Sequence, residues 1–334
     1  MSNLSYNYVE SGIVLNISSY ADLKKINVTP KHFAIFGEAF QFILDELDES
    51  RQVPSRAILT AKYPELDQST ADAADVSFFS VSGNDDTATF AKSKMAEYGV
   101  VTKIFKDDNR PTTLKQRYRA SGKTLLRVSH LRQQDISPRL ARDYVKAVKE
   151  SLSKVDLVIF SDFNYGCLSQ SVVSEIIKAC KSKNIKMVAD SQSSSQIGDV
   201  SRFKGMVLLT PTEREARLAM RDFNSGLVVL AEKLRKKTQA QNIILTLGTE
   251  GLIAHAPSIE RDDWLTDRLP AFNTAPKDIA GAGDSLLACS ALALVAGANI
   301  WQSSYLGSIA AACQVSRVGN IPLSISDIEL ELRD

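Results

Sequence analysis

A chain of 334 residues can bury a sizeable core, and its length fits one large domain or two ordinary ones. Its 40 basic residues stand against 39 acidic ones, a net charge of +1, which removes the electrostatic basis for non-specific nucleic-acid binding or for anchoring on an anionic membrane. Three histidines, and four cysteines (Cys167, Cys180, Cys289, Cys313) with no C-x-x-C pair, argue against a metal cage and for reduced thiols in a cytoplasmic protein. The polar N-terminus shows no signal peptide, and no apolar stretch reaches the ~18 to 20 residues of a membrane span.

In chain order, His32–Phe36 (HFAIF) reads as a strand, and the polar, aperiodic segment between Phe40 and Asp75 yields no element. Val76–Val81 (VSFFSV) reads as a strand and Asp86–Tyr98 as a helix closed by Gly99. Thr112–Ser129 (TTLKQRYRASGKTLLRVS) has another texture: two alternating segments meet at Ser121-Gly122, the signal of a β-hairpin. Lys115, Arg117 and Arg119 recur at spacing two and so share one strand face. An antiparallel hairpin inserted into an α/β chain is expected to be a lid, at about 108–130. Ser121–Thr124 (SGKT) is not a P-loop, because Arg117 stands where that motif needs glycine.

Ser137-Pro138 then opens a helix whose Leu140, Tyr144, Val148 and Leu152 fall on one face. Beyond it, Val155–Phe160, Ile185–Ala189, Met206–Thr210 and Asn242–Leu247 read as buried strands between helical stretches. That rhythm predicts an α/β fold with a parallel sheet and crossover helices.

Two motifs carry chemistry. Asp278–Ser285 (DIAGAGDS) runs into the apolar segment Leu286–Ile300. Its glycines are either a tight turn alone or an anion site; a dinucleotide fingerprint is excluded, since the third glycine is missing and the motif lies near the C-terminus. In the anion-site reading the backbone N–H groups of Gly281, Ala282 and Gly283 converge at the positive end of the following helix. Asp284 beside them is then a carboxylate able to take a proton from a substrate hydroxyl, the pairing phosphoryl transfer needs. Thr246–Gly251 (TLGTEG) is either a plain turn between strands or a strand-end loop bordering a nucleotide; its place at a strand's carboxyl end favours the second.

The order of basic hairpin, SDFNYG after a strand, LLTPTEREA, TLGTEG and DIAGAGDS resembles the ribokinase-like (PfkB) carbohydrate kinases, from about Val76 to the C-terminus. Within them it is most similar to the heptose-7-phosphate kinase domain of bifunctional heptose kinase/adenylyltransferases. The resemblance implies a three-layer α/β/α sandwich with a small β-sheet lid, in one kinase domain over residues 1–334 with an atypical N-terminal region at about 1–75. It also implies ATP and Mg²⁺, with a sugar or sugar phosphate as acceptor. Asp284 matches the catalytic base and Gly281, Ala282 and Gly283 the anion hole. Thr246, Gly248, Gly251 and Ser308 match nucleotide-binding positions. Glu215 matches the glutamate that organises Mg²⁺ through water, and Asp278 lies next to the monovalent-cation (K⁺) site of many members. Lys115, Arg117, Arg127, Asp162 and Glu38 fall on the substrate side.

The departures from the family pattern bear on the substrate and, to a lesser degree, on catalysis. The early glycine pair has no counterpart between Phe40 and Asp75, and Gly37-Glu38 replaces Gly-Asp. Thr212 replaces the asparagine of N-x-x-E, Asp190-Ser191-Gln192 replaces D-P-K, and Ala280 replaces the threonine before GAGD. The expectation is therefore a carbohydrate kinase, favouring a heptose-7-phosphate-like acceptor. Its rivals are a catalytically impaired binding module and a kinase for an unphosphorylated sugar or nucleoside. The expected partners are a second copy through the lid and a nucleotidyltransferase.

Overall fold

The computed structural model describes residues 13–16, 75–98, 100–120, 123–193, 197–258, 263–319, 323–324 and 327–328. Among them nine strands form one sheet in the order β11-β10-β9-β8-β7-β6-β1-β2-β3, and two form a separate hairpin, β4-β5. The large sheet comprises β1 (Ile13–Asn16), β2 (Asp75–Ser82), β3 (Val101–Lys106), β6 (Leu157–Asp162), β7 (Lys186–Ser191), β8 (Leu208–Leu209), β9 (Asn242–Thr246), β10 (Leu252–Pro257) and β11 (Trp264–Leu269). From β6 to β9 neighbours run parallel, while β1 pairs antiparallel with both β2 and β6. β6 is buried at all six positions, the continuous apolar run of a strand covered on both faces.

Alternation along these strands feeds two cores. Val158, Phe160 and Met187 face a layer made by α2 (Pro138–Ser151), α3 (Gln170–Ser182), α4 (Glu213–Met220) and α5 (Leu227–Thr238). Leu157, Ile159 and Val188 face α6 (Ala282–Ala296) and α7 (Ile300–Val315), with Met95 of α1 (Asp86–Glu97) at the margin. This is the expected three-layer sandwich. α6 and α7 pack closely because Gly307 presents no side chain: a Cβ there would run into Ser290 Oγ.

The hairpin β4 (Leu114–Ala120) and β5 (Lys123–His130) is antiparallel, as its sequence predicts, with a register shift between Tyr118 and Arg119. Its root is pinned twice. Thr112 donates its backbone N–H to Asp85 Oδ2 (2.8 Å), the same carboxylate that caps α1 through Ala88 N (2.9 Å). The buried Arg110 guanidinium donates to the carbonyls of Tyr165 (3.1 Å) and Gln134 (2.8 Å).

The helix from Ser137-Pro138 forms as read, with Ser137 Oγ accepting from Leu140 N, and Tyr144 and Val148 buried. The strand at Val155–Phe160 lies two residues later, and Met206–Thr210 shortens to a two-residue ladder because pairing on both sides is confined to Leu208 and Leu209. The expected strand His32–Phe36, Glu38, the closing Gly99 and the Ser121-Gly122 turn lie outside the described residues. All four cysteines are free and buried, and among the described residues no helix is long and apolar enough to cross a membrane.

Gly166 holds the loop after β6 at φ 86°, where a Cβ would collide with the Gln134 carbonyl. Gly297 has a similar φ of 104° with open space around it. Gly166→Ala should therefore cost about 3 kcal/mol of unfolding free energy in denaturant titration and Gly297→Ala about 1. Equal losses would contradict the clash.

Candidate active site

The site lies where the carboxyl ends of the parallel strands meet the first turn of α6. Gly281 occupies the N-cap in the left-handed region (φ 81°), a conformation that glycine adopts without strain, and no side chain caps the helix. The first helical bond is Ser285 N to Gly281 O (2.9 Å), so the amides of Ala282, Gly283 and Asp284 have no acceptor within the helix. Before Gly283 the space is open: an added Cβ would meet nothing within 4 Å. N–H groups with no acceptor among the described residues, positive helix end and free volume together make a cradle for anionic oxygens.

Asp284 stands in that same first turn, half-buried. Burial pushes its carboxyl up to about 6, and the Lys115 ammonium of the lid pulls it partly back. Lys115 of the hairpin therefore lies within electrostatic range of the helix end. Lys115 Nζ is seated 4.4 Å from the Phe163 ring centroid and 5.0 Å from that of Tyr165, two rings stacked 6.1 Å apart. An ammonium over two aromatic faces is held by their π-systems, and among the described residues no carboxylate pairs with it.

Opposite lies a row of acids at the strand ends. Asp190 of β7 is buried and pushed well above the usual carboxylate range, first by desolvation and then by the charges of Glu215 and Asp284. Glu215 closes the capping box of α4: its Oε2 accepts from Thr212 N and Oγ1, both at 2.8 Å, and its Oε1 from Ser193 N at 2.7 Å. Thr212 thus does the helix-capping work open to the asparagine it replaces. Asp162, 2 % exposed, accepts from Arg202 Nη2 (2.5 Å), Ser191 Oγ (2.9 Å) and Asn164 N (3.0 Å), so both its oxygens are committed to the floor of the cleft.

Thr246 ends β9, donating its N–H to Pro211 O (2.9 Å). The turn Gly248–Glu250 follows. Gly248 (φ 62°) faces open space, and Gly251 (φ 91°) packs where a Cβ would strike the Leu269 carbonyl. Asp278 accepts from Ala280 N and Gly319 N, each at 3.2 Å, tying the loop before α6 to the chain after α7. Ser308 is nearly buried within α7.

Of the residues singled out in the sequence, Asp284, Gly281–Gly283, Lys115 and Glu215 converge on one cleft. Arg117 and Arg127 stand opposite each other in the hairpin register. Asp162 is sealed into the floor. Asp190, Phe163, Tyr165 and Arg202 were missed as site residues. Asp190 carried a signal, an acid at the end of an apolar strand; Arg202 carried none, since its partner lies 40 residues away.

A profile described as pfkB family carbohydrate kinase matches residues 70–327. The chain belongs to the pfkB family of carbohydrate kinases. It is 29 % identical over 270 residues to the bifunctional protein HldE of Desulfatibacillum aliphaticivorans, covering 79 % of this chain and 53 % of that protein. The HldE of Sulfurimonas denitrificans is 29 % identical over 263 residues, covering 77 % and 52 %. The chain thus spans about half the length of the curated relatives it matches. Among solved structures it is similar to phosphofructokinase-2 from Escherichia coli in complex with potassium (TM-score 0.61, 15 % identity, 77 % of this chain and 81 % of that one). It is also similar to ribokinase from Thermotoga maritima (TM-score 0.59, 20 % identity, 77 % and 81 %).

A carboxylate with its pKa at about 6 is half protonated there, so a pfkB enzyme using it as a base loses kcat/KM as pH falls through that value. Because Lys115 holds the pKa down, Lys115→Met should move this acid limb to higher pH. An unmoved limb would break the link between lid and base.

Proposed function

We propose that this pfkB-family chain transfers a phosphoryl group from ATP to a hydroxyl of a sugar phosphate, with a heptose 7-phosphate the favoured acceptor. The observation that carries the reading is the first turn of α6: bare amides facing open space beside a carboxylate raised to about 6. The relatives named bifunctional protein HldE and the sequence resemblance to heptose-7-phosphate kinase domains support the acceptor.

The residues fit a nucleotide and Mg²⁺. Gly248 and Gly283 leave room for phosphates to approach the backbone, and Thr210 Oγ1, at the carboxyl end of β8 next to Asp190's strand, is buried with no hydrogen-bond partner among the described residues. Among the described residues no three His, Cys, Asp or Glu side chains form a cage that could grip an ion. That suits Mg²⁺, which keeps several waters and substrate oxygens in its shell. Glu215 and Asp190 would hold it through water, Thr246, Gly248, Gly251 and Ser308 would border the nucleotide, and Asp278 would face a K⁺ ion. ATP, when bound, supplies the phosphoryl group and Mg²⁺ neutralises its charge.

Asp284 accepts the proton of the acceptor hydroxyl. The amides of Gly281, Ala282 and Gly283 stabilise charge on the oxygens facing them. Lys115, with Arg117 and Arg127 from the same hairpin, holds the acceptor's phosphate, and the seated lid excludes water. Asp162 shapes the floor without touching substrate. Tyr118, Leu125 and Leu126 on the hairpin are 52 %, 70 % and 55 % exposed, which supports pairing of lids between two copies. A nucleotidyltransferase consuming the phosphorylated product is the partner activity, supported by the word bifunctional in the relatives' name.

Asp284→Asn should lower kcat by roughly a thousandfold while nucleotide binding, followed by calorimetry, stays nearly unchanged. Retained turnover would refute the base. Lys115→Ala should raise KM about tenfold for a sugar phosphate and leave an unphosphorylated analogue unaffected. Equal effects on both would remove the phosphate from the acceptor side.

A further inference from the structure

On the outer face of the sandwich, away from the cleft, a groove of about 610 Å³ runs between α3, the Val200–Arg202 turn and the end of α5. Lys178, Lys181, Arg202, Lys204 and Lys237 line it against a single acid, Asp199. In a chain whose net charge is +1 this is a local concentration of cations. Among the described residues none of the four lysines has a carboxylate within ion-pairing distance. Lys204 Nζ donates to Lys237 O (2.6 Å) and Lys237 Nζ to Ala219 O (2.8 Å), which leaves each ammonium further donors. Burial, then the charge of Lys237, lowers the pKa of Lys204, and the carboxylate of Asp199 offsets only part of that, the mark of cations in excess over acids.

Arg202 connects this groove to the active site. One of its terminal nitrogens donates to Leu168 O (2.7 Å) and the other to Asp162 (2.5 Å), while its Nε is buried with no partner among the described residues. Asp162 also receives the amide of Asn164, in the loop that carries Phe163 and Tyr165. That loop seats Lys115 of the lid.

We propose that the groove binds a small phosphorylated anion, and that its occupancy draws Arg202 from Asp162 and loosens the seat of Lys115. The chemistry is that of phosphate: several lysines acting as point charges around one guanidinium. The concave shape, within the range of about 300 to 1,000 Å³ usual for small-molecule sites, favours a metabolite-sized ligand over a nucleic-acid strand, which needs an extended basic track.

Acetic-anhydride footprinting of the full chain, read by mass spectrometry during titration with inorganic pyrophosphate, tests this. At twice the pyrophosphate Kd, Lys178 and Lys181 should be protected about threefold, as 1 + [L]/Kd requires. Lys115 should gain reactivity, and Lys146 of α2 should not change. In Lys178→Ala/Lys181→Ala the Lys115 change should vanish. Unprotected Lys178 and Lys181 would overturn the site. A Lys115 change that persists in the double variant, or protection of Lys115 in place of exposure, would assign the effect to pyrophosphate in the active cleft and overturn the coupling. Each readout is a lysine's reactivity, so the result does not depend on whether the chain phosphorylates a sugar.

Discussion

Everything in the cleft depends on the fixed position of one helix end. The first turn of α6 must present bare amides and a desolvated carboxylate together, and neither survives a helix that shifts or admits bulk water. α6 is apolar on all its faces, with Leu286–Leu294 buried throughout, which is the pattern of a helix enclosed by its own protein. Its neighbour α7 closes in through Gly307, and the sheet backs it through Leu157, Ile159 and Val188. The hydrophobic segment behind DIAGAGDS is therefore the mounting for the chemistry at its mouth.

The second half of the site is mounted differently, on buried ionic and hydrogen-bonded contacts. Arg110 ties the lid root to the loop after β6, and Arg202 with Asp162 ties that loop to the floor. These charges are out of water, so each depends on its partner: removing one leaves the other uncompensated. A packed apolar helix holds one wall of the cleft, while a network of paired charges and hydrogen bonds holds the other. Lys115 is the point where the two meet, since it rests on the loop and acts on Asp284.

The open first turn of α6 was legible in the sequence because it is written in backbone terms: Gly-x-Gly before an apolar helix permits the left-handed N-cap and keeps side chains away from the amides. The parallel strands were legible for the same kind of reason, as continuous apolar runs. β11 was not, because an edge strand exposed at four of its six positions carries no hydrophobic period. Nothing local to SDFNYG announces that Asp162 pairs with Arg202, or that Phe163 and Tyr165 lie beneath the hairpin's Lys115. Contacts between residues far apart in the chain decide what a side chain does, and the sequence pattern does not carry them.

The most direct test is a crystal structure with a non-hydrolysable ATP analogue and a heptose 7-phosphate bound together. The account predicts an acceptor hydroxyl about 3 Å from the Asp284 carboxylate, terminal phosphate oxygens against the amides of Gly281–Gly283, and the sugar's phosphate beneath the lid hairpin. An acceptor hydroxyl directed away from Asp284, or nucleotide phosphates bound away from the first turn of α6, would contradict it.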